Sequence, residues 1–388
     1  MTEKLYDADP YGREFDALVL RKTEYKGKTG YVFDKTFFFP EEGGQTPDQG
    51  SVNGLKVTDV QIKDGEIIHF VEGELTEGTA VHGEIDFEHR FKNMQCHSAE
   101  HIFSGLVYST FGFNNVGFHL SDNSATMDYD GFLSDADIES LEFKANKIIT
   151  ENRKILAEYP DPEILKNLSY RSKKELSGPI RIVTVEGVDV CACCAPHVRL
   201  TGEIGVFKVI SSEKYKGGTR VNYLAGFRAL EDYRQKQDAL LEISRLLSVK
   251  RGAEAEAVAA LINEHQTLKY DYLNIKNSQI ADKIKKAKES DPDYLFLIEA
   301  SEDSGFMDFY AKSARDLFSS FSLFFGNDTE GYKFVIEGKI SAKTAADILR
   351  NRFAAKCGGR DNSVRGSVNL SKKELEDNFS DLSLLSEG

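Results

Sequence analysis

Residues 94–101 read Met94-Gln95-Cys96-His97-Ser98-Ala99-Glu100-His101, and the reading of this stretch decides how the rest of the chain is divided. Residues four apart on a helix share one face, with Cβ atoms about 5–6 Å apart, so two imidazoles so placed can meet one metal ion. The surrounding sequence favours a helix. From Phe91, FKNMQCHSAEHIFSGLVYSTF puts Met94, His97, His101 and Leu106 at helical spacing among apolar neighbours. As letters, HSAEH also satisfies H-x-x-E-H, the mirrored zinc-protease signature, in which Glu100 would be the base.

The sequence changes character on either side of this helix. Residues 1–90 are acid-rich and read as short alternating strands, such as Gly30–Phe33 and Lys56–Ile62, broken by the turns EEGGQ, DQGSVNG and KDGE. Many short strands with regular turns predict a small β-barrel over 1–90. Residues 91–226 read as an α+β block. It holds the histidine helix, a strand TMDYD, helices near 134–156 and 161–169, a strand RIVTV, and a sheet closed by GVFKVISS and TRVNYLAG. Residues 227–289 predict a helical hairpin with its turn near Gly252. Leu261, Leu268 and Ile275 recur every seven residues, with Val258, His265 and Tyr272 at the complementary positions, so His265 is expected in a packed helix contact. Residues 290–388 alternate strands (YLFLIEA, FSLFF, YKFVIEG) with helices (FMDFYAKSARDLFSS, AKTAADILRNRFAAK), and the tail from Ser371 is expected to fray. The fold class expected is α+β and multidomain.

Composition narrows the function. The net charge of −14 argues against broad nonspecific DNA binding but leaves room for a nucleic acid gripped by a local patch, such as the basic residues between Lys208 and Arg251. No run of about 18 apolar residues predicts a membrane span, and the polar N-terminus is no secretory signal, so a cytoplasmic protein is expected. Three of the five cysteines crowd into Cys191-Ala192-Cys193-Cys194, a poor disulfide framework and a better metal-binding one.

That crowd supplies the second half of a site. Cys193-Cys194-Ala195-Pro196-His197 contains C-x-x-x-H just past a predicted strand. His97, His101, Cys193 and His197 together make an N₃S set for a tetrahedral Zn²⁺, with Cys191 or Cys194 as the alternative sulfur donor. A cysteine in the set is foreign to H-x-x-E-H proteases, whose third ligand is a carboxylate. Glu100 is therefore expected to be an exposed helix residue.

HSAEH followed about ninety residues later by CCAPHVRLTGEIGVFKV resembles the editing domain of alanyl-tRNA synthetases and the free-standing alanyl-tRNA editing proteins. The resemblance extends to Asp34–Gln45 with Asp48 and Gly50, and to the Gly218-Thr219-Arg220 turn. It also takes in a C-terminal DHHA1-like module ending in Cys357-Gly358-Gly359-Arg360-Asp361. Phe39 and Glu42 depart from the family's usual tyrosine and glycine, and the final glycine run is shortened.

What the resemblance implies is hydrolysis in trans of serine or glycine from mischarged tRNA(Ala), with zinc on His97, His101, Cys193 and His197. It implies that Gly43 and Gly44 let the backbone approach the terminal adenosine, with Gln45 donating a hydrogen bond. Candidate substrate groups are His119, Thr126 and Asp128 on the segment after the helix, and Arg220 for a phosphate. A homodimer through the C-terminal helices is plausible on the same grounds. The competing reading is a zinc-stabilised tRNA-binding protein without turnover.

Overall fold

The computed structural model describes residues 2–122, 124–172, 179–289, 293–339 and 341–381. They form a mixed α/β architecture in two compact units, Met1–Glu242 and Ile243–Gly388.

After a short strand at Glu3–Lys4 and a helical turn at Leu5–Ala8, the first unit holds six strands, β1 (Glu14–Tyr25), β2 (Lys28–Phe33), β3 (Gly50–Val52), β4 (Leu55–Lys63), β5 (Glu66–Val71) and β6 (Ala80–Ile85). All their pairings are antiparallel, and the order β1-β2-β5-β4-β3-β6 returns to β1, closing the sheet. The period-2 pattern explains what fills the interior. Phe15, Ala17 and Val19 of β1 alternate inward, meeting Phe33, Val52, Val57, Val60 and Val81. Phe38 and Phe39, on the loop after β2, are fully buried in the same cluster.

Helix α1 (Phe87–Phe111) follows at once, capped by the Asp86 side chain, which accepts from the His89 amide, and ended by Gly112 at φ 74°. Around it lie β7 (Asn115–Leu120), β8 (Ala125–Tyr129), helix α2 (Asp135–Thr150), β9 (Ile155–Glu158), β10 (Ile182–Val185), β11 (Asp189–Ala192), β12 (Phe207–Tyr215) and β13 (Gly218–Ala225). One antiparallel sheet runs β12-β13-β8-β7 and a smaller one β9-β10-β11. The helix expected to run to 156 stops at Thr150 because Ile155–Glu158 pairs with β10 instead. The helix expected at 161–169 spans Pro162–Asn167.

Helix α3 (Gly226–Leu247) ends before Gly252, which sits at φ +85°, and α4 (Glu254–Lys288) begins after it. Of α4, Ile280 and Ile284 are buried, packing on the sheet of the second unit. The heptad positions further up are not: Leu261, Leu268, Ile275 and His265 are all exposed, where sequence reading expected a packed contact. The second unit's sheet has five strands, β14 (Tyr294–Glu299), β15 (Ser320–Asn327), β16 (Gly331–Glu337), β17 (Lys356–Arg360) and β18 (Ser363–Val368), in the order β14-β15-β16-β18-β17. Helices α5 (Met307–Arg315) and α6 (Ala342–Phe353) cover it.

Of the tail expected to fray, residues 372–379 instead form α7 (Lys372–Phe379), and residues 382–388 lie outside the described residues. Ser371 and Glu374 make a capping box, and Leu375 and Phe379 are buried in the core, which together hold a helix of eight residues. Among the described residues no helix is long and apolar enough to cross a membrane.

Candidate metal centre

Helix α1 is buried nearly all round, and its polar residues face specific partners rather than solvent. His97 and His101 lie one turn apart with ring centroids 5.7 Å apart. The loop after β11 brings Cys193 and His197 against them. The Cys193 Sγ lies 3.5 Å from His97 Nε2 and 3.4 Å from His197 Nε2. One ligand atom from each of His97, His101, Cys193 and His197 falls within 4.8 Å of the others. A tetrahedral ion held at ~2.0–2.1 Å by nitrogen and ~2.3 Å by sulfur requires nitrogen–sulfur separations of roughly 3.5 Å. The donor set therefore fits such an ion.

The outer hydrogen bonds orient all three imidazoles the same way. His97 Nδ1 donates to Gln45 Oε1 (2.8 Å), His101 Nδ1 to Asp189 Oδ2 (2.9 Å), and His197 Nδ1 to Ser98 Oγ (3.0 Å). A carboxylate and an amide oxygen can only accept, so in His97 and His101 the proton sits on Nδ1 and the Nε2 lone pair is left facing Cys193. Asp189 is itself clamped by Arg171, whose Nε and Nη2 reach its two oxygens at 2.7 and 2.8 Å. That clamp makes the neighbouring group of His101, Asp189 and Cys191 an outer support of the four-residue set.

The three clustered cysteines differ. Burial pushes the Cys193 thiol up, but His97 and His197 beside it outweigh burial and hold it well below the ordinary thiol range. Burial raises Cys191 and Cys194, and neither Arg171 near Cys191 nor Lys4 near Cys194 offsets it. Cys193 is thus the thiolate of the group, as metal ligation needs. Arg181, itself buried, fixes the loop by donating from Nη1 to the Cys193 and Ala195 carbonyls at 3.2 and 2.8 Å.

The centre forms one wall of a cavity of about 550 Å³, also lined by Gly43, Gly44, Phe118, Arg181 and Lys4. Gly44 is at φ +85°, and a Cβ there would lie 2.2 Å from the Phe118 carbonyl oxygen. Only glycine permits that approach. It lets Leu120 N donate to Gly44 O (2.7 Å) and Thr46 N to Leu120 O (3.0 Å), stitching the loop to β7. Gln45, completely buried, reaches His97 from this loop, so its carbonyl serves the metal centre.

Other residues singled out from sequence lie elsewhere. His119 and Thr126 are cross-strand partners on β7 and β8, and neither is among the residues lining the cavity. Arg220 makes a bidentate pair with Asp128 (2.6 and 2.7 Å) and stacks on Tyr215. Glu100 is the clearest correction. It is 1% exposed, not on a solvated face, because α1 is covered by β7 and β11 on the side that carries it. Sequence reading named Asp48 only as part of the N-terminal motif and missed its partner, Arg90. Both are fully buried and ion-paired, and Asp48 also accepts from the Phe39 amide at 2.6 Å. Their separation in the chain hides the pair. Ser98 sits inside HSAEH and Asp189 two residues before CACC, so proximity to the ligands was a usable signal for both.

A family model described as the threonyl and alanyl tRNA synthetase second additional domain matches residues 180–222. One described as tRNA synthetases class II (A) matches residues 14–89. The chain is 28% identical over 401 aligned residues to the alanyl-tRNA editing protein AlaX-L of Pyrococcus horikoshii, covering 97% of each. It is 28% identical over 396 residues to the alanyl-tRNA editing protein Aarsd1 of Danio rerio, covering 94% of this chain and 96% of that one. Against the alanine–tRNA ligase of Ignicoccus hospitalis it is 31% identical over 303 residues, which is 75% of this chain and 33% of the ligase. The chain therefore spans about a third of the ligase's length and nearly all of the editing proteins'.

Proposed function

We propose that this chain, a member of the alanyl-tRNA editing family, hydrolyses the ester that joins a wrong amino acid, serine or glycine, to tRNA(Ala). The observation that carries the reading is the convergence of His97, His101, Cys193 and His197, the first three of which line a cavity that Gly43 and Gly44 also line. The need for such an enzyme is chemical. A pocket shaped for alanine cannot shut out glycine and rejects serine poorly, so a second site must remove what the first admits.

Zinc suits the N₃S set, and when bound it supplies a Lewis acid and a template for the ester. The chain's own residues do the rest. Gln45, Asp189 and Ser98 fix the three imidazoles, and Arg181 fixes the Cys193 loop. Gly43 and Gly44 allow close backbone approach of the terminal nucleotide, and Lys4 and Arg181 are the cations on the cavity lining that its phosphate can meet. In the net reaction the oxygen of water bonds to the carbonyl carbon, the carbon–oxygen bond to the ribose breaks, and a proton ends on the ribose hydroxyl.

We read residues 1–90 as the barrel that presents the double-glycine loop, 91–226 as the editing module, 227–289 as the helical hairpin, and 290–388 as a DHHA1-like module. The exposed heptad face of α4, with Leu268 60% exposed, supports pairing with a second copy through the C-terminal helices, which sedimentation would test. The cytoplasm, where aminoacylated tRNA is used, is the proposed location. The test is deacylation of Ser-, Gly- and Ala-charged tRNA(Ala) and Ser-charged tRNA(Thr) by zinc-replete protein. Release of serine or glycine from tRNA(Ala), with alanine spared, is expected. Failure to deacylate either would overturn the reading and favour a zinc-stabilised protein that binds tRNA without turnover.

A further inference from the structure

We propose that the ring of Tyr159 is the platform on which the terminal nucleobase of the tRNA stacks, so that the site grips the base next to the ester as well as the ester itself. This assignment rests on the editing reading and adds to it the residue that positions the 3′ nucleotide.

Tyr159 directly follows β9 and lines the same cavity as His97, His101 and Cys193. Its OH donates to Asp7 Oδ2 at 2.9 Å. Burial first, and then the Asp7 charge, pushes the phenol up to about 12, so it stays a donor at neutral pH. Pro160 comes next in the chain and restricts the backbone of the residue before it. Asp7 Oδ1 lies 3.6 Å from Arg181 Nε, and Arg181 Nη1 donates to the Cys193 carbonyl. One carboxylate and one guanidinium therefore tie the ring to the loop that carries Cys193. The ring is held at its polar tip and at its backbone, yet Tyr159 is 51% exposed. A side chain fixed in advance gives up little freedom when a ligand settles on its face.

Phe118, also on the lining, behaves differently. Its ring centroid is 4.5 Å from that of His97, so it serves the packing of the centre. A half-exposed tyrosine is ordinary on a protein surface. What sets Tyr159 apart is its place, on a lining that also carries the candidate metal centre, Lys4 and Arg181. An aromatic face with cations on the same wall is how single-stranded nucleic acid is held, the base on the ring and the phosphate on the cations. The substrate brings a base to that spot. The ester sits on the ribose of the terminal nucleotide, so its base is one sugar away from the carbonyl carbon to be attacked. The cavity, about 550 Å³, falls within the ~300–1,000 Å³ that takes one drug-sized ligand, the size class of a nucleoside with its aminoacyl group.

The test uses zinc-loaded full-length protein with two substrates, Ser-tRNA(Ala) and the same Ser-tRNA(Ala) lacking the base on its terminal ribose, and compares the native chain with Tyr159→Ala and Tyr159→Phe. The native protein is expected to prefer the intact substrate by about 5–100-fold in kcat/KM, the worth of one base–aromatic stack. Tyr159→Ala should lose that preference through a raised KM for the intact substrate with kcat little changed, while the abasic substrate is cleaved at its former low rate and zinc content holds. Tyr159→Phe keeps the ring and gives up the bond to Asp7, and should retain most of the preference. Equal cleavage of the two substrates by the native protein would overturn the assignment of Tyr159 without touching the editing reading, and needs no variant. A preference that survives in Tyr159→Ala would overturn it by placing the base elsewhere. An equal loss on both substrates in Tyr159→Ala, loss of its zinc, or a Tyr159→Phe as impaired as Tyr159→Ala would also overturn it, marking Tyr159 as a support of Asp7 and Arg181. Cleavage of neither substrate by the native protein would overturn the editing reading and this assignment together.

Discussion

Helices α1 and α4 carry similar sequence signals and end in opposite surroundings. Both have apolar residues at helical spacing with histidines among them. In α1 the polar residues are buried too: Arg90, Asn93, Gln95, Ser98, Glu100 and Ser104 each sit at 4% exposure or less with a hydrogen-bond partner. In α4 even Leu261, Leu268 and Ile275 stay in contact with solvent, and only the last turns, at Ile280 and Ile284, are covered. Apolar spacing shows which residues share a face. It does not show how many faces are covered, and a helix covered on every side needs satisfied polar groups as much as apolar ones.

Substitutions sharpen the contrast. The largest effect on folding is expected from Asp48→Ala, which leaves Arg90 charged and buried beside α1 without its partner. A loss of about 3–5 kcal/mol follows, read as a lower midpoint of the first unit's denaturant unfolding. Ile102→Ala removes a fully buried side chain from the same helix and should cost about 2–5 kcal/mol. Leu268→Ala on α4 should change the stability of the single chain by less than about 0.5 kcal/mol. If Leu268→Ala matched Ile102→Ala in a dilute monomeric sample, the contrast between the two helices would be broken. Between these extremes lies Asp189→Asn, which weakens the grip on His101. It should lower metal affinity by about 10–100-fold in chelator competition while the fold is kept, as expected for a carboxylate behind a ligating histidine.

The four converging side chains were legible from sequence because they are local: H-x-x-x-H is one turn of helix and C-x-x-x-H one loop, and soft donors are scarce in this chain. The strands of 1–90 were legible because glycine turns punctuate them. What stayed hidden was long-range. The Arg90–Asp48 and Arg171–Asp189 pairs join residues 42 and 18 positions apart, and nothing in either local sequence marks the partner. The burial of Glu100 depended on β7 and β11 closing over a helix face that spacing alone leaves open. The terminal helix was legible after all, since Ser371-Lys372-Lys373-Glu374 is a capping box. Its charged composition concealed the two residues, Leu375 and Phe379, that anchor it.

The central claim is that the four converged side chains hold an ion on which ester cleavage depends. The direct measurement is the rate of serine release from Ser-tRNA(Ala) by the full chain as isolated, after metal removal by a chelator, and after zinc is restored, with bound metal counted each time. The account predicts one zinc per chain, loss of cleavage by at least about a thousandfold on removal, and recovery on restoration. Undiminished cleavage by metal-free protein would contradict it.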